Sequence, residues 1–179
     1  MVVIDVDNIE FSFDETWVVS KYDEWQYYLS KFQKMHSSSP RDRPGVKAVD
    51  LVAVQGDLLM LIEVKDYRHP ETAAVPIGEL PDTMVAKCRD TLAGLLAASL
   101  AASEPTESAL GRQASQASRV GIVLHCELVR KTGRLHNPDQ VLLNLTSDLR
   151  RKLKLLDPHA RVEMSSATHG QWVTKPLPV

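Results

Sequence analysis

The stretch that most constrains the fold is residues 46–68, VKAVDLVAVQGDLLMLIEVKDYR, in which two apolar runs flank a Gly56-Asp57 turn. A glycine followed by one further residue is typical of the two-residue type II′ turn that joins antiparallel strands. Because both runs are apolar at nearly every position, the hairpin is predicted to lie centrally in a sheet and to be covered on both faces. Each run nevertheless carries one carboxylate, Asp50 in the first and Glu63 in the second.

The turn also sets the register of the two strands. A two-residue turn places Asp50 opposite Glu63, with Lys65 diagonal to Asp50 on the same face. At an effective dielectric near 20, two carboxylates about 5 Å apart repel by roughly 3 kcal/mol, so the pair needs compensation. Lys65 supplies one positive charge, and Mg²⁺ or Mn²⁺, which prefer oxygen ligands, would supply two more.

Two alternatives stay open at this point. A three-residue turn would shift the register by one position and turn Asp50 away from Glu63. An ion cluster made of Asp50, Glu63 and Lys65 could also serve packing alone, without any metal.

These three residues resemble the motif of the PD-(D/E)xK nuclease superfamily, whose members share the restriction-endonuclease-like fold. Asp50 matches the first acid, and Glu63 and Lys65 match the Glu-x-Lys on the next strand, within a match covering roughly residues 21–128. The resemblance implies an α/β fold with a central mixed β-sheet flanked by helices on both faces. Val49 stands where the superfamily often has proline. The usual strand between the first helix and the Asp50 strand is not evident, and the N-terminal hairpin or residues 33–36 are candidates for it.

The resemblance also implies roles. Asp50 and Glu63 would hold Mg²⁺ (or Mn²⁺), with the carbonyl of Val64 as a further ligand, and Lys65 would orient the attacking water or stabilise charge on the phosphate. Glu24, with Asp23 as its alternative, would complete the metal shell from the preceding helix. The implied function is Mg²⁺-dependent phosphodiester hydrolysis of nucleic acid, with DNA as the first expectation. The alternative is a nuclease-fold module, weak or inactive in cleavage, that binds nucleic acid or a partner protein.

A net charge of −2 excludes a global positive field, so nucleic-acid contacts require a local basic patch. Lys87 is of interest because related nucleases often place extra active-site residues on the helix after the hairpin. The candidate nucleic-acid contacts near the motif are Lys47, Arg68, Lys87, Arg89, Arg41 and Arg43. A homodimer or a protein partner is also compatible with the sequence.

The length of 179 residues predicts a single nuclease-like domain, 1–179. It divides into an N-terminal hairpin (1–20), a core (21–165) and a tail (166–179). Helical periodicity or flanking signals predict helices at 21–35, at 84–102 with Asp82 as its cap, and at 140–156. Residues 104–118 read as a loop or weak helix, and strands are predicted at 1–6, 9–13, 120–128 and 161–164.

The two cysteines, Cys88 and Cys126, indicate a reducing compartment, and the chain lacks a signal-peptide pattern or a long apolar span, so a cytoplasmic protein without membrane contact is expected. His125 and Cys126 are adjacent on a predicted strand and point to opposite faces, which disfavours a Cys–His dyad. Zinc-type spacings and a phosphate-binding glycine loop are both absent from the sequence.

Overall fold

A computed structural model of the chain describes residues 1–35, 45–68, 76–128, 138–165 and 170–178. Within these residues the fold is mixed α/β, with two sheets and four α-helices. The strands are β1 (Val2–Val6), β2 (Ile9–Phe13), β3 (Val18–Lys21), β4 (Leu51–Gln55), β5 (Leu58–Asp66), β6 (Arg119–Glu127), β7 (Arg161–Glu163) and β8 (Val173–Pro176). The helices are α1 (Gln26–Ser30), α2 (Leu80–Ala101), α3 (Pro105–Gln116) and α4 (Pro138–Leu153).

The larger sheet has the strand order β3-β4-β5-β6-β7. β3, β4 and β5 pair antiparallel, whereas β5, β6 and β7 pair parallel, so the sheet is mixed as expected. Gly56 has a φ of 58°, which a type II′ turn requires at its first position. Val52 faces Leu61 in the ladder, which confirms the predicted register of the hairpin.

The ladder between β4 and β5 is shorter than the sequence suggested. Its last pair is Leu51 with Ile62, so Asp50 and Glu63 do not form a strand pair. The chain bends at Asp50, and Val49 packs with the helices instead of following the strand alternation. Its amide N–H donates to the Thr91 hydroxyl of α2 at 3.1 Å, so α2 takes over from β5 as the partner of this segment.

The two faces of the larger sheet are covered by different layers. Val52, Leu59 and Leu61 belong to a core that also contains the buried residues of all four helices. Leu51, Met60 and the other residues on that face pack instead against a group of aromatic side chains. These belong to the smaller sheet and the loops beside it, and they are Phe11, Phe13, Trp17 and Trp172. The prediction of helices on both faces is therefore wrong within the described residues: helices cover one face and a second sheet covers the other.

The smaller sheet joins the two ends of the described chain. Its order is β1-β2-β8, and both pairings are antiparallel. Asp7 and Asn8, with φ values of 46° and 60°, form the left-handed turn between β1 and β2 that the sequence predicted. The segment 166–179, predicted to be a tail, instead supplies β8, because Trp172 and Thr174 have an apolar layer to bury against.

The predicted helix at 21–35 is broken into three short pieces, a 3₁₀ turn at Tyr22–Glu24, α1, and a second 3₁₀ turn at Phe32–Lys34. Trp25 interrupts it with an extended backbone, and its indole N–H donates to Ser20 at 2.8 Å. The Glu107 carboxylate of α3 accepts the first backbone N–H groups of α1, at 2.7 and 3.0 Å. A tertiary contact therefore satisfies donors that a continuous helix would have satisfied internally.

The other helices differ from the predictions mainly at their ends. α2 begins at Leu80 with Pro81 in its first turn, and Asp82 lies inside that turn without capping it through its side chain. Residues 105–116 form the regular helix α3, whereas α4 ends at Leu153, three residues before the predicted end. Among the helices that the structure describes, none combines the length and apolar character needed to cross a bilayer.

Gly111 marks the closest approach between α2 and α3. A Cβ atom at this position would lie 2.9 Å from both the Leu95 carbonyl oxygen and the Ser99 amide nitrogen. We expect Gly111→Ala to lower the free energy of unfolding by about 1–3 kcal/mol through overpacking, because backbone atoms on α2 have little room to move. Gly78→Ala is the control, since nothing lies within 4 Å of its added Cβ. Urea denaturation measures both, and an unchanged midpoint for Gly111→Ala would contradict the expectation.

Candidate active site

Asp50 lies where the chain enters β4. Its backbone oxygen accepts the Tyr22 amide at 2.9 Å, which ties the bend to the first 3₁₀ turn. Its carboxylate accepts a hydrogen bond from the Val64 amide at 2.7 Å. Val64 lies beyond the last pair of the β4–β5 ladder, so the Asp50 side chain provides the acceptor in place of a strand backbone. The side chain is thereby fixed against β5 beside Glu63, although the two residues are not paired in the ladder.

Glu63 and Lys65 lie two residues apart on β5 and on the same face of the sheet. Glu63 is 1% exposed, and its carboxylate lies 2.7 Å from the Lys65 ammonium. That ammonium also donates to the Val64 carbonyl at 2.7 Å and lies 3.9 Å from the Asp50 carboxylate. The structure therefore brings together Asp50, Glu63 and Lys65, together with the Val64 carbonyl.

Lys87 joins this cluster from α2. Its ammonium donates to both oxygens of Glu63, at 2.6 and 2.7 Å, and lies 3.5 Å from an Asp50 oxygen. The sequence named Lys87 both as an extra active-site residue and as a nucleic-acid contact, and the side chain lies at the cluster, engaged with the two carboxylates. The sequence could not show this contact, because it depends on how α2 packs over the end of β5.

The charges within the cluster shift one another's ionisation. Burial and the neighbouring Asp50 raise the pKa of Glu63 to about 7, despite the opposing effect of Lys87 and Lys65. Burial alone would lower the pKa of Lys65, but Glu63 and Asp50 raise it above its usual value. The lysine therefore stays charged, while the buried glutamic acid titrates near neutrality.

Two further acids flank the cluster. Asp23 lines the same cleft as Asp50, and burial followed by the charge of Asp50 raises its pKa. Glu24, the residue proposed for the metal shell, instead pairs with Lys21 at 3.1 Å and lines a separate cavity of about 770 Å³ between β1, β3 and α3. Asp23, the alternative named from the sequence, is therefore the acid that lies at the site.

Asp7 is an acid that the sequence did not single out. Its carboxylate lies 4.0 Å from the Lys65 ammonium, at the turn between β1 and β2. Burial raises the pKa of Asp7, and Lys65 opposes that change. The only signal in the sequence was a residue suited to a left-handed turn, which says nothing about the lysine that the turn approaches.

The cluster opens into a cleft of about 510 Å³. Lys47, one of the proposed phosphate contacts, lines it together with Tyr28 and Thr83. Arg68 is held by Asp66 at 2.7 Å, and Arg89 pairs with its neighbour Asp90 at 2.9 Å on the surface. Arg41 and Arg43 lie outside the described residues.

The adjacent His125 and Cys126 point to opposite faces of β6, as predicted. Cys126 is buried among the helices, whereas the His125 ring lies 5.1 Å from the Phe11 ring on the other side. Burial raises the pKa of the Cys88 and Cys126 thiols to about 12, which leaves both as packed, unreactive groups.

Comparison with known proteins gives one partial relative. No protein-family model matches the chain, and no solved structure matches it either. The chain is 30% identical over 169 residues to a cysteine–tRNA ligase of Neisseria meningitidis serogroup A. The match covers 83% of this chain and 24% of that protein, so the chain spans about a quarter of its relative's length. The similarity therefore concerns a segment of a longer protein.

Proposed function

We propose that this chain hydrolyses phosphodiester bonds in nucleic acid with the help of a divalent metal, at a PD-(D/E)xK-type site built from Asp50, Glu63 and Lys65. The observation that carries the proposal is the convergence of these three side chains, with the Lys65 ammonium 2.7 Å from Glu63 and 3.9 Å from Asp50. A purely structural ion cluster has no need of a cleft, whereas Asp50 and Lys65 both line one of about 510 Å³.

The donor atoms suit Mg²⁺ or Mn²⁺. Within the described residues, no three acidic, histidine or cysteine side chains form a group that could hold a metal ion. Mg²⁺ nevertheless binds commonly through one or two carboxylates and completes its shell with water and substrate phosphate. Asp50, Glu63 and the Val64 carbonyl, all hard oxygen donors, would hold it. A metal bound there would polarise the phosphodiester and lower the pKa of a bound water.

The protein's own groups would supply the remaining electrostatics. The charged Lys65 ammonium would stabilise negative charge developing on the phosphate or hold the attacking water. Asp23, which lines the cleft beside Asp50, is placed to bind a further water through its carboxylate. Lys47 borders the same cleft, where it would contact a phosphate of the bound strand.

The architecture supports a restriction-endonuclease-like fold in part. The two acids and the lysine lie at the end of an antiparallel pair, and β6 continues the sheet in parallel with β5. Among the residues that the structure describes, neither candidate named for the strand beside β4 pairs with it, and β3 pairs there instead, before the first helical turns and not after them as the resemblance implies. The smaller sheet on the second face is an addition to the pattern that the resemblance implies.

The partial relative favours a second candidate function, an RNA-binding module. That relative is by name a tRNA ligase, and its match covers 83% of this chain. A nucleic-acid-binding segment joined to a tRNA-handling enzyme would need affinity for RNA without any cleavage. Under this alternative, the carboxylate–lysine cluster only stabilises the folded protein, and the cleft forms part of the surface that binds RNA.

A cleavage and binding panel separates the two candidates. The purified chain would be incubated with duplex, single-stranded and branched DNA and with a tRNA transcript, in Mg²⁺, Mn²⁺ or EDTA. We expect metal-dependent cleavage of at least one substrate and none in EDTA, because in the proposed mechanism the bound metal polarises the phosphodiester and lowers the pKa of the attacking water. Retention of tRNA in a gel-shift assay with no cleavage of any substrate would favour the RNA-binding module and contradict the hydrolase.

A further inference from the structure

The Lys87 ammonium occupies the space between the two acids. It lies 2.6 and 2.7 Å from the Glu63 oxygens and 3.5 Å from the nearer Asp50 oxygen, so three carboxylate oxygens surround one cationic nitrogen. Asp50 and Glu63 are the two side chains that would hold the metal, so the ammonium takes up oxygen atoms that the ion would need. Mg²⁺ binds its oxygens at about 2.0–2.1 Å, which leaves no room for an ammonium among the same atoms.

The charge of the cluster leads to the same conclusion. With both acids ionised, Asp50 and Glu63 carry two negative charges, and Lys65 and Lys87 carry two positive ones. These four charges cancel, so while Lys87 stays in place a divalent ion is attracted, among the described groups, only by the flanking acids, Asp7 and Asp23. Lys65 is anchored a second time by the Val64 carbonyl at 2.7 Å, whereas all the described contacts of the Lys87 ammonium are with the two acids.

We propose that Lys87 is a tethered counter-ion that a divalent metal must displace, so that this lysine sets the metal affinity of the site. The inference rests on the proposed function, because it concerns the same metal position. Lys87 lines the cleft, so its long side chain has open space into which to swing when it leaves the acids. The metal-free protein keeps its buried acids neutralised without any bound ion.

Calorimetric titration with Mn²⁺ tests the inference without reference to cleavage. We expect Lys87→Met to bind Mn²⁺ at least roughly tenfold more tightly than the parent chain, because a competing unit charge has been removed from the site. Lys152→Met is the matched control: Lys152 also pairs with a carboxylate, that of Asp82 on α2, but does not touch Asp50 or Glu63. Its Mn²⁺ affinity is expected to equal that of the parent chain.

A second measurement uses the unaltered chain, in case Lys87→Met does not fold. Brief acetylation followed by peptide mass spectrometry reports how accessible each lysine amine is. Lys87 is expected to react slowly without metal and several-fold faster in Mn²⁺, whereas Lys152 is expected to react equally in both conditions.

The outcomes distinguish this inference from the proposed function. Equal Mn²⁺ affinity of Lys87→Met and the parent chain, or an unchanged Lys87 acetylation rate, would overturn the inference even if the chain cleaves nucleic acid. Failure of both proteins to bind Mn²⁺ would overturn it as well. Tighter binding by Lys87→Met in a chain that cleaves no substrate would support the inference and remove the proposed hydrolysis.

Discussion

Lys65→Met is expected to reduce metal-dependent cleavage by about 10²–10³-fold or more, the range found when one group that stabilises transition-state charge is removed. The physical reason is the position of the ammonium, which lies 2.7 Å from Glu63 and 3.9 Å from Asp50, lines the cleft and stays charged. Methionine retains most of the side-chain volume and removes the charge together with the hydrogen bond to the Val64 carbonyl. Single-turnover rates at saturating substrate measure the loss in the chemical step.

The control for this prediction is Lys152→Met, which removes an equal charge from a distant ion pair. Thermal melting of both variants shows whether they are folded at the assay temperature, since Lys65→Met leaves Glu63 with Lys87 as its remaining basic partner. Asp50→Asn should lose cleavage to a similar extent, because the amide is a poorer ligand for a hard cation. Undiminished cleavage by folded Lys65→Met would remove this lysine from the mechanism.

Glu63→Gln is expected to flatten part of the pH dependence of stability in the metal-free protein. Burial raises the pKa of Glu63 from 4.5 in the unfolded chain to about 7 in the folded protein. A raised pKa means that the folded protein holds the proton more tightly, so the stabilisation is complete below pH 4.5 and is lost as the pH rises through 7. The shift corresponds to roughly 3 kcal/mol, at 1.36 kcal/mol for each pKa unit.

The measurable quantity is the difference in unfolding free energy between the parent chain and Glu63→Gln, determined by urea denaturation in EDTA at several pH values. The parent chain should lose stability relative to Glu63→Gln between about pH 4.5 and pH 8. Taking the difference cancels the contributions of other acids to the pH dependence. Glu127 is one of them: burial alone would raise its pKa, but hydrogen bonds from His125 and Ser165 lower the pKa to about 2. Glu24→Gln, at an exposed ion pair, sets the background slope. A difference that is constant across this range would contradict the expectation.

The features that local chemistry determines were predictable from the sequence. The turn at Gly56 sets the register of β4 and β5, because a two-residue loop with a left-handed first position permits one pairing. The motif residues Asp50, Glu63 and Lys65 converge because they lie at one end of that hairpin, on the side covered by the helices.

The features that depend on distant contacts were not predictable. Trp25 interrupts the apparent helix because its indole finds Ser20 and because Glu107, about eighty residues away, accepts the following amides. β8 was missed because a four-residue strand has almost no signal of its own and gains its stability from the sheet that it joins. Lys87 meets the acids only because α2 folds back across the end of β5. No pattern of neighbouring residues in the sequence indicates these contacts.

The pairing of β8 with β2 has a practical consequence for protein production. The Leu177 amide binds the Asn8 carbonyl at 2.8 Å, and Asn8 follows Asp7, whose carboxylate lies 4.0 Å from Lys65. An affinity tag or fusion partner attached at the C-terminal end would therefore begin within a few residues of the strand that steadies this turn. Kinetic and titration work is best done with a cleavable tag that is removed before measurement.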